Sequence, residues 1–272
     1  MNKNNHMKYA VIGTGFIFRK HLQAINQTGG KIVDVCDITH GRGEAWKNIV
    51  KNSEADCAVI LAPNYLHYEI AKAANEAGKI VLCEKPLALK SDHVKDLADR
   101  EDIFVVQQLR YHPEVKRLEK QIDKNKKYDI SIDVSVFRDR HYFNGWKGDF
   151  EKSGGPLFTL GVHYFELLLH LFGPAIEAQM NDFDGKTGQG IIKGANYNCR
   201  WRVSVGARID EPWKRAFIIN GEEINLSSKE NLAEENLHHF VYQDLLQKRG
   251  VSPIEVLPAI ALIEKLYESH HS

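Results

Sequence analysis

Neither sign of charge is in surplus in this chain of 272 residues, because 36 Lys and Arg stand against 36 Asp and Glu. No net field therefore recommends nucleic acid or an anionic membrane surface as a partner. Cysteine is scarce: Cys36, Cys57, Cys83 and Cys199 have no C-x-x-C spacing, and the first three lie in apolar, strand-like runs. Such thiols are expected to be reduced and buried, as in a cytoplasmic protein. No run approaches the roughly 18 apolar residues that a membrane helix needs. The opening MNKNNHMKYAVIG passes from polar residues into a short strand without the apolar core of a signal peptide. Repeats and low-complexity segments are missing, and no histidine or cysteine spacing matches a zinc site, so no metal is expected. His238-His239 and His270-His271 read as solvated surface histidines.

What is present suits a globular chain of two domains, since 43% of the residues are apolar. Lys8 to Ile12 is a short apolar run followed by Gly13-Thr14-Gly15-Phe16. Helical spacing then begins at Ile17 and continues through His21, Leu22 and Ile25. A strand, a glycine turn and a helix in that order let backbone approach a pyrophosphate, whose charge the helix amino terminus favours. Phe18 stands where a third small residue would complete G-x-G-x-x-G. The next strand, Lys31 to Cys36, ends at Asp37. A carboxylate there can accept ribose hydroxyls and repel the extra phosphate of NADP, which favours NAD, although Arg42 stands nearby.

Gly41 to Asn52 reads as a short helix or connection. Cys57 to Leu61 is a buried strand leading into Ala62-Pro63-Asn64-Tyr65-Leu66-His67, with a helix from there to Ala77. Ile80 to Leu89, IVLCEKPLAL, is the centre of the chain: a buried strand delivers Glu84 and Lys85 to its carboxyl end and stops at Pro86. In an open parallel sheet that end is where ligands sit. Proline holds Lys85 extended, with either isomer of the bond to Pro86 open to it. A helix from Ser91 to Arg100 and a strand from Ile103 to Gln107 follow. Strands alternating with helices at this spacing give a doubly wound parallel sheet.

From Tyr128 the strands lengthen and alternate: Asp129 to Phe137, Gly194 to Val205, Arg215 to Ile219 and Glu223 to Leu226. That pattern suits a mostly antiparallel sheet with one face covered. Between the first two lie Trp146-Lys147-Gly148-Asp149 and the run from Ser153-Gly154-Gly155 to Thr159-Leu160-Gly161-Val162-His163. A helix carrying Tyr164, Leu167, Leu168 and Leu171 on one side, and His163, Glu166 and His170 on another, ends at Gly173-Pro174. The last expected element is an amphipathic helix over Ile254 to Glu268.

The glycine turn, Asp37, Glu84-Lys85-Pro86 and Gly154-Gly155 leading to His163, taken in order, resemble the Gfo/Idh/MocA oxidoreductases. Gln108-Leu109-Arg110-Tyr111-His112-Pro113, the segment YFNGWKGDFEKSGG from Tyr142, Arg200 to Ser204 and Ile219 to Ile224 resemble the branch that oxidises UDP-N-acetylglucosaminuronate at C3 in surface-polysaccharide synthesis. The resemblance implies an α/β fold. An NAD-binding Rossmann domain would span 1–113, and a domain with a large, mostly antiparallel, open-faced sheet would span 114–272, its final helix able to pack back on the first. It implies cofactor contacts at Gly13, Thr14, Gly15, Phe16, Ile17, Asp37, Ala62, Pro63, Asn64, His67, Glu84, Lys85, Gln108 and Trp146. The family motif places its reactive Lys at Lys85 and its His at His163. Thr159 stands where many members have Asp and where the branch has Asn, and the chain is short after Asp37.

Oxidising a secondary alcohol needs a base, a hydride acceptor and a group that stabilises charge on oxygen. His163 is the expected base and Lys85 the oxygen's partner, with the reverse division left open. Arg110, Lys147, Lys152 and Arg202 are candidates for a substrate carboxylate or diphosphate, and Thr159 offers a hydroxyl to the sugar or the ribose. Expected partners are NAD, a nucleotide sugar, 2-oxoglutarate as an acceptor for the hydride, and a second copy of the chain in a dimer or tetramer. Competing readings are a dehydrogenase of free sugars or inositols, and a regulator that senses the dinucleotide without turnover.

Overall fold

A computed structural model of the chain describes residues 6–38, 44–211, 213–226 and 237–271. Arg42 lies outside the described residues. The chain divides into two compact units. The first is made of described residues within Met1–Ala88, Asp92–Gln108 and Glu234–Val256, and the second of those within Leu89–Ser91, Leu109–Ala233 and Leu257–Ser272.

In the first unit β1 (Lys8–Ile12), α1 (Phe18–Gln27), β2 (Lys31–Cys36), α2 (Ala45–Asn52), β3 (Cys57–Ile60), α3 (His67–Glu76), β4 (Ile80–Cys83), α4 (Ser91–Ala98) and β5 (Ile103–Val105) alternate along the chain. All strands pair in parallel, in the order β2-β1-β3-β4-β5. β3 and β5 are buried at every residue and β4 at all but its first, as short continuous apolar runs must be when both faces of a sheet are covered. β2, at the edge, stays half open. α1 buries His21, Ala24 and Ile25, so Ala24 takes the inward place expected of Leu22, which faces solvent.

Two helices end the chain: α9 (His238–Leu246) and α10 (Pro253–His271), with α5 to α8 placed below. α9 belongs to the first unit, and the chain just beyond it adds a bridge to the sheet, where Val105 N–H donates to Val251 O at 2.8 Å. Tyr242 of α9 meets Tyr9 of β1 edge-on, with ring centres 5.6 Å apart.

The second unit contains α5 (Pro113–Gln121), β6 (Tyr128–Ser135), the short α6 (Arg140–Asn144) and α7 (Phe150–Ser153), and α8 (Val162–Phe172). The strands β7 (Ala175–Phe183), β8 (Thr187–Gly194), β9 (Tyr197–Ser204), β10 (Lys214–Ile219) and β11 (Glu222–Ile224) follow. The strand order is β11-β10-β6-β9-β8-β7, with only β6 and β9 parallel. Ile130, Ile132 and Val134 of β6 and Cys199, Trp201 and Val203 of β9 are buried. Phe165 of α8 packs edge-on against Trp201, with ring centres 5.3 Å apart. The opposite face of the same strands carries ion pairs, Arg200 with Asp129 at 3.1 Å and Lys214 with Asp133 at 2.5 Å. The β7–β8 hairpin and α9 were not among the expected elements.

Candidate active site

The carboxyl ends of β1, β3, β4 and β5 gather the expected cofactor residues of the first unit. Gly13 follows β1 with φ +109°, its N–H donating to Cys36 O at 2.7 Å. A Cβ there would come within 2.5 Å of Leu61 O and 3.0 Å of Ala62 N, both backbone, so glycine is required where β1 turns beside the end of β3. Gly15 differs, because a Cβ would meet nothing within 4 Å. Thr14, Phe16 and Ile17 complete this turn, with Phe16 93% exposed, and α1 starts after it without an acidic residue in its first turn. The third small position of the motif is filled by a half-buried Phe18. Asp37 sits half-buried just past β2.

After β3, Ala62, Pro63 and Asn64 are buried, and His67 stands between two loop carbonyls. Its Nδ1 lies 2.6 Å from Pro86 O and its Nε2 2.7 Å from Ala62 O. Burial lowers the pKa of this imidazole, with the two carbonyls pulling the other way. After β5, Gln108 carries a buried side-chain oxygen with no hydrogen-bond partner. An open glycine turn at a helix amino terminus and an orphaned amide oxygen at the same sheet edge fit a dinucleotide there.

Lys85 leaves β4 half-buried, with a cis bond to Pro86. Glu84 is 8% exposed and holds a different company than its motif suggests. Its Oε1 accepts from His21 Nε2 at 3.0 Å and lies 3.4 Å from His238 Nε2, while its Oε2 accepts the Lys85 backbone N–H at 3.2 Å. Because an ionised carboxylate only accepts, His21 donates through Nε2 and its Nδ1 takes the Tyr242 hydroxyl at 2.9 Å. Burial would raise the Glu84 pKa, but the bonds from His21 and His238 outweigh it and hold the carboxyl well below its ordinary value. Burial lowers His21, against the opposing pull of Glu84. His238, expected on the surface, is 5% exposed, because α9 turns it inward onto that carboxylate.

In the second unit Gly154 and Gly155 have φ of +75° and +74°. A Cβ on Gly155 would approach Phe150 Cε2 to 2.5 Å and the Tyr267 hydroxyl to 2.7 Å. This pair turns the chain from α7 into a π-helical turn, Leu157–Gly161, and α8 begins at once with Val162 and His163. His163 is half-buried at the second residue of α8. Single π turns recur at functional sites because they aim side chains off the regular helical register. Thr159, inside the turn, donates its hydroxyl to Gly155 O at 3.0 Å and accepts from the Tyr142 hydroxyl at 3.3 Å.

The cationic candidates divide. Lys147 lies over Tyr142 and Trp146, with its ammonium 5.7 and 5.6 Å from the ring centres. Partial burial and then Arg138 lower its pKa. Lys152 pairs with Asp149 at 2.8 Å, which also caps α7. Arg110 is 7% exposed, and its Nε donates to Glu166 Oε1 at 2.8 Å with a second bond from the same guanidinium. Glu166 therefore leaves the polar side expected for it and is buried against Arg110, whereas His170 stays half-buried with Glu119 at 2.7 Å. Arg202 alternates with Trp201 and Val203, which places it on the sheet face opposite α8 and paired with Asp133 at 3.6 Å. Arg202, a candidate for a substrate carboxylate or diphosphate, thus stands on the face opposite the helix that carries His163. A surface groove of 720 Å³ between α2 and α3, lined by Trp46, Lys47, Val50, Tyr68 and Lys72, contains none of the expected site residues.

A parallel Rossmann sheet ending in a glycine turn and a Glu-Lys-Pro loop, followed by an open-faced sheet preceded by a Gly-Gly turn, defines a class of two-unit oxidoreductase folds. Residues 7–103 match the oxidoreductase family's NAD-binding Rossmann fold, and residues 116–190 match its C-terminal alpha/beta domain. The chain belongs to the Gfo/Idh/MocA oxidoreductase family. Among solved structures it resembles the WlbA (WbpB) dehydrogenase from Thermus thermophilus in complex with NAD and UDP-GlcNAcA. The TM-score is 0.83 at 27% identity, covering 94% of this chain and 93% of that one. The same dehydrogenase in complex with NAD and alpha-ketoglutarate aligns with a TM-score of 0.84 at 27% identity, covering 96% of this chain and 95% of that one. The inositol 2-dehydrogenase/D-chiro-inositol 3-dehydrogenase of Lactiplantibacillus plantarum is 28% identical over 182 residues, 59% of this chain and 51% of that protein. The chain spans about half the length of the curated relatives it matches.

Proposed function

We propose that the protein is an NAD-dependent dehydrogenase that oxidises the C3 hydroxyl of a nucleotide sugar, UDP-N-acetylglucosaminuronate, in the synthesis of a surface polysaccharide. The observation that carries this reading is the likeness, along 94% of the chain, to a dehydrogenase bound to NAD and UDP-GlcNAcA.

NAD, when bound, supplies the hydride acceptor. Thr14, Gly15, Phe16 and Ile17 would present backbone N–H groups and a helix amino terminus to its pyrophosphate, and Gly13, whose own N–H is given to Cys36 O, makes the turn that lets them approach. Asp37 would take the adenosine ribose, and Ala62, Pro63, Asn64, His67, Glu84, Gln108 and Trp146 would complete the surroundings of the cofactor. His163 accepts the proton of the C3 hydroxyl. The Lys85 ammonium hydrogen-bonds the same oxygen and stabilises the charge that builds on it as the carbinol hydrogen leaves with its electron pair. Lys147 and Lys152 are the cations assigned to the substrate's carboxylate and diphosphate. Arg110 reaches them only by sharing its guanidinium with Glu166, and Thr159 is the hydroxyl assigned to the sugar.

The keto acid bound by the Thermus thermophilus dehydrogenase makes 2-oxoglutarate the proposed acceptor for the hydride on the reduced cofactor. The charged open face of the second sheet is assigned to a second copy of the chain. Among the described residues no helix is long and apolar enough to cross a membrane. The buried, free cysteines suit a reducing, cytoplasmic setting.

The inositol dehydrogenase relative supports a second reading, oxidation of a free polyol by the same Lys and His. The test is absorbance near 340 nm. A rise on mixing protein, NAD⁺ and UDP-N-acetylglucosaminuronate, followed by decay on adding 2-oxoglutarate, supports the first reading. A rise with inositol that UDP does not inhibit replaces it with the second.

A further inference from the structure

Behind Lys85 three buried side chains form one run of hydrogen bonds, and a fourth, His238, stands beside the carboxylate at its end. Tyr242 donates to His21 Nδ1 at 2.9 Å, His21 Nε2 donates to Glu84 Oε1 at 3.0 Å, and His238 Nε2 lies 3.4 Å from that same oxygen. The residues come from three distant parts of the chain, α1, the end of β4 and α9. Packing alone would not ask for them, since apolar side chains fill such a space at less desolvation cost. What they secure is visible at the other carboxylate oxygen, because Glu84 Oε2 accepts the Lys85 N–H at 3.2 Å. One oxygen of Glu84 faces the histidines and the other faces the backbone of Lys85. On the far side His67 holds Pro86 O at 2.6 Å, so the backbone around Lys85 is fixed at both ends.

We infer that His21, His238 and Tyr242 are positioning residues, which set the place of the Lys85 amine by orienting the Glu84 carboxylate. This rests on the reading of Lys85 as a group that acts on the substrate oxygen. A carboxylate that lost the His21 bond or the His238 imidazole beside it would turn toward another partner and release the Lys85 N–H, and small displacements of a reacting group are costly in rate. The neighbouring titratable groups are His67 of α3, Cys83 and Lys85 on the same segment, and Tyr9 and Cys57 of the sheet beside Tyr242.

The test compares His238→Leu, His238→Gln and Tyr242→Phe in the full chain. Glutamine puts an N–H where histidine has Nε2, and phenylalanine keeps the ring that packs on Tyr9. His238→Leu is expected to lower kcat about 10- to 100-fold while KM and the Kd for NAD change less than about threefold, and His238→Gln to recover most of the loss. Adding His238→Leu to Lys85→Ala should cost nothing further, since the amine to be positioned is gone. Equal losses in the Leu and Gln variants, or a further loss in the double variant, overturn the inference.

If Lys85→Ala turns over as wild type, or no substrate is turned over, the functional reading fails by itself. Competitive acetylation of Lys85 against the exposed Lys120, read by peptide mass spectrometry, then decides the network. A change of about tenfold in His238→Leu that is reversed in His238→Gln sustains it, and an unchanged ratio overturns it.

Discussion

Alanine at Gly15 and alanine at Gly13 should fail in opposite ways, because the two glycines of the first turn meet different constraints. At Gly15 an added methyl would touch nothing within 4 Å, and the backbone is not in the positive-φ region. Folding should therefore be unharmed, and the narrower unfolded ensemble stabilises by about 0.4–1 kcal/mol. The open space is where a pyrophosphate would approach. Keeping one phosphate oxygen from its backbone N–H forfeits a hydrogen bond to a charged group, about 1.5–3 kcal/mol. That converts to a loss of NAD affinity of roughly 10- to 150-fold.

At Gly13 a φ of +109° and a Cβ 2.5 Å from Leu61 O act on the fold itself. Leu61 cannot give way, as its N–H is bonded to Ile12 O at 2.8 Å. The conformation alone costs about 1–3 kcal/mol. Calorimetric titration with NAD and thermal unfolding of both variants separate the effects. Unchanged NAD affinity in a well-folded Gly15→Ala protein would refute a dinucleotide at this turn.

Lys85→Ala should leave NAD affinity within about twofold and lower turnover by about 100-fold or more; a parallel loss of NAD binding would make Lys85 structural. Asp37→Ala should weaken NAD and narrow the preference for NAD over NADP, and titration with both cofactors would expose an unchanged preference. Glu166→Ala strands the Arg110 guanidinium in a buried site and should destabilise by about 3–5 kcal/mol in chemical denaturation, whereas a loss under 1 kcal/mol would mean that water reaches the pair. His21 and His67 have folded pKa values lowered by burial, so the unfolded chain binds more protons below about pH 6.5 and stability falls on acidification through that point. Glu84, also depressed, adds a second loss below about pH 4.3. Denaturant midpoints that stay flat from neutral pH down to this range would refute both.

The first unit was legible because its signals are local. Short continuous apolar runs, such as Tyr9 to Ile12 before Gly13 and Cys57 to Ala62 before Pro63, mark strands buried on both faces, and Lys85 just past another such run is placed by chain order alone. The residues that were missed depend on contacts between distant segments. Nothing in the sequence around His238 distinguishes a surface pair of histidines from one that reaches Glu84, since the meeting is made by α9 docking beside α1. The β7–β8 hairpin did carry a signal. Asp184-Gly185 is a strong turn dipeptide, and Asp184 Oδ1 accepts from the N–H groups of Lys186 and Thr187 at 2.8 and 2.6 Å. Its strands, AIEAQMNDF and TGQGIIKG, lack the apolar alternation that was sought, because most of their residues stay partly open to solvent.

Thr159 is the one position where this chain departs from its resemblance inside the π turn, and its geometry says what the departure changes. A carboxylate four residues before His163 would favour the imidazolium and make the ring a stronger base. Thr159 brings no charge. Its proton is committed to Gly155 O and its oxygen to the Tyr142 hydroxyl, so it ties the Gly-Gly turn to α6 without supplying charge to His163. On the proposed reading the charge on the substrate oxygen would fall to Lys85, whose backbone is held by Glu84 on one side and by His67 on the other. In this chain the rigid anchoring lies around the lysine, which is the arrangement expected if the amine, more than a carboxylate-paired histidine, bears the electrostatic part of the reaction.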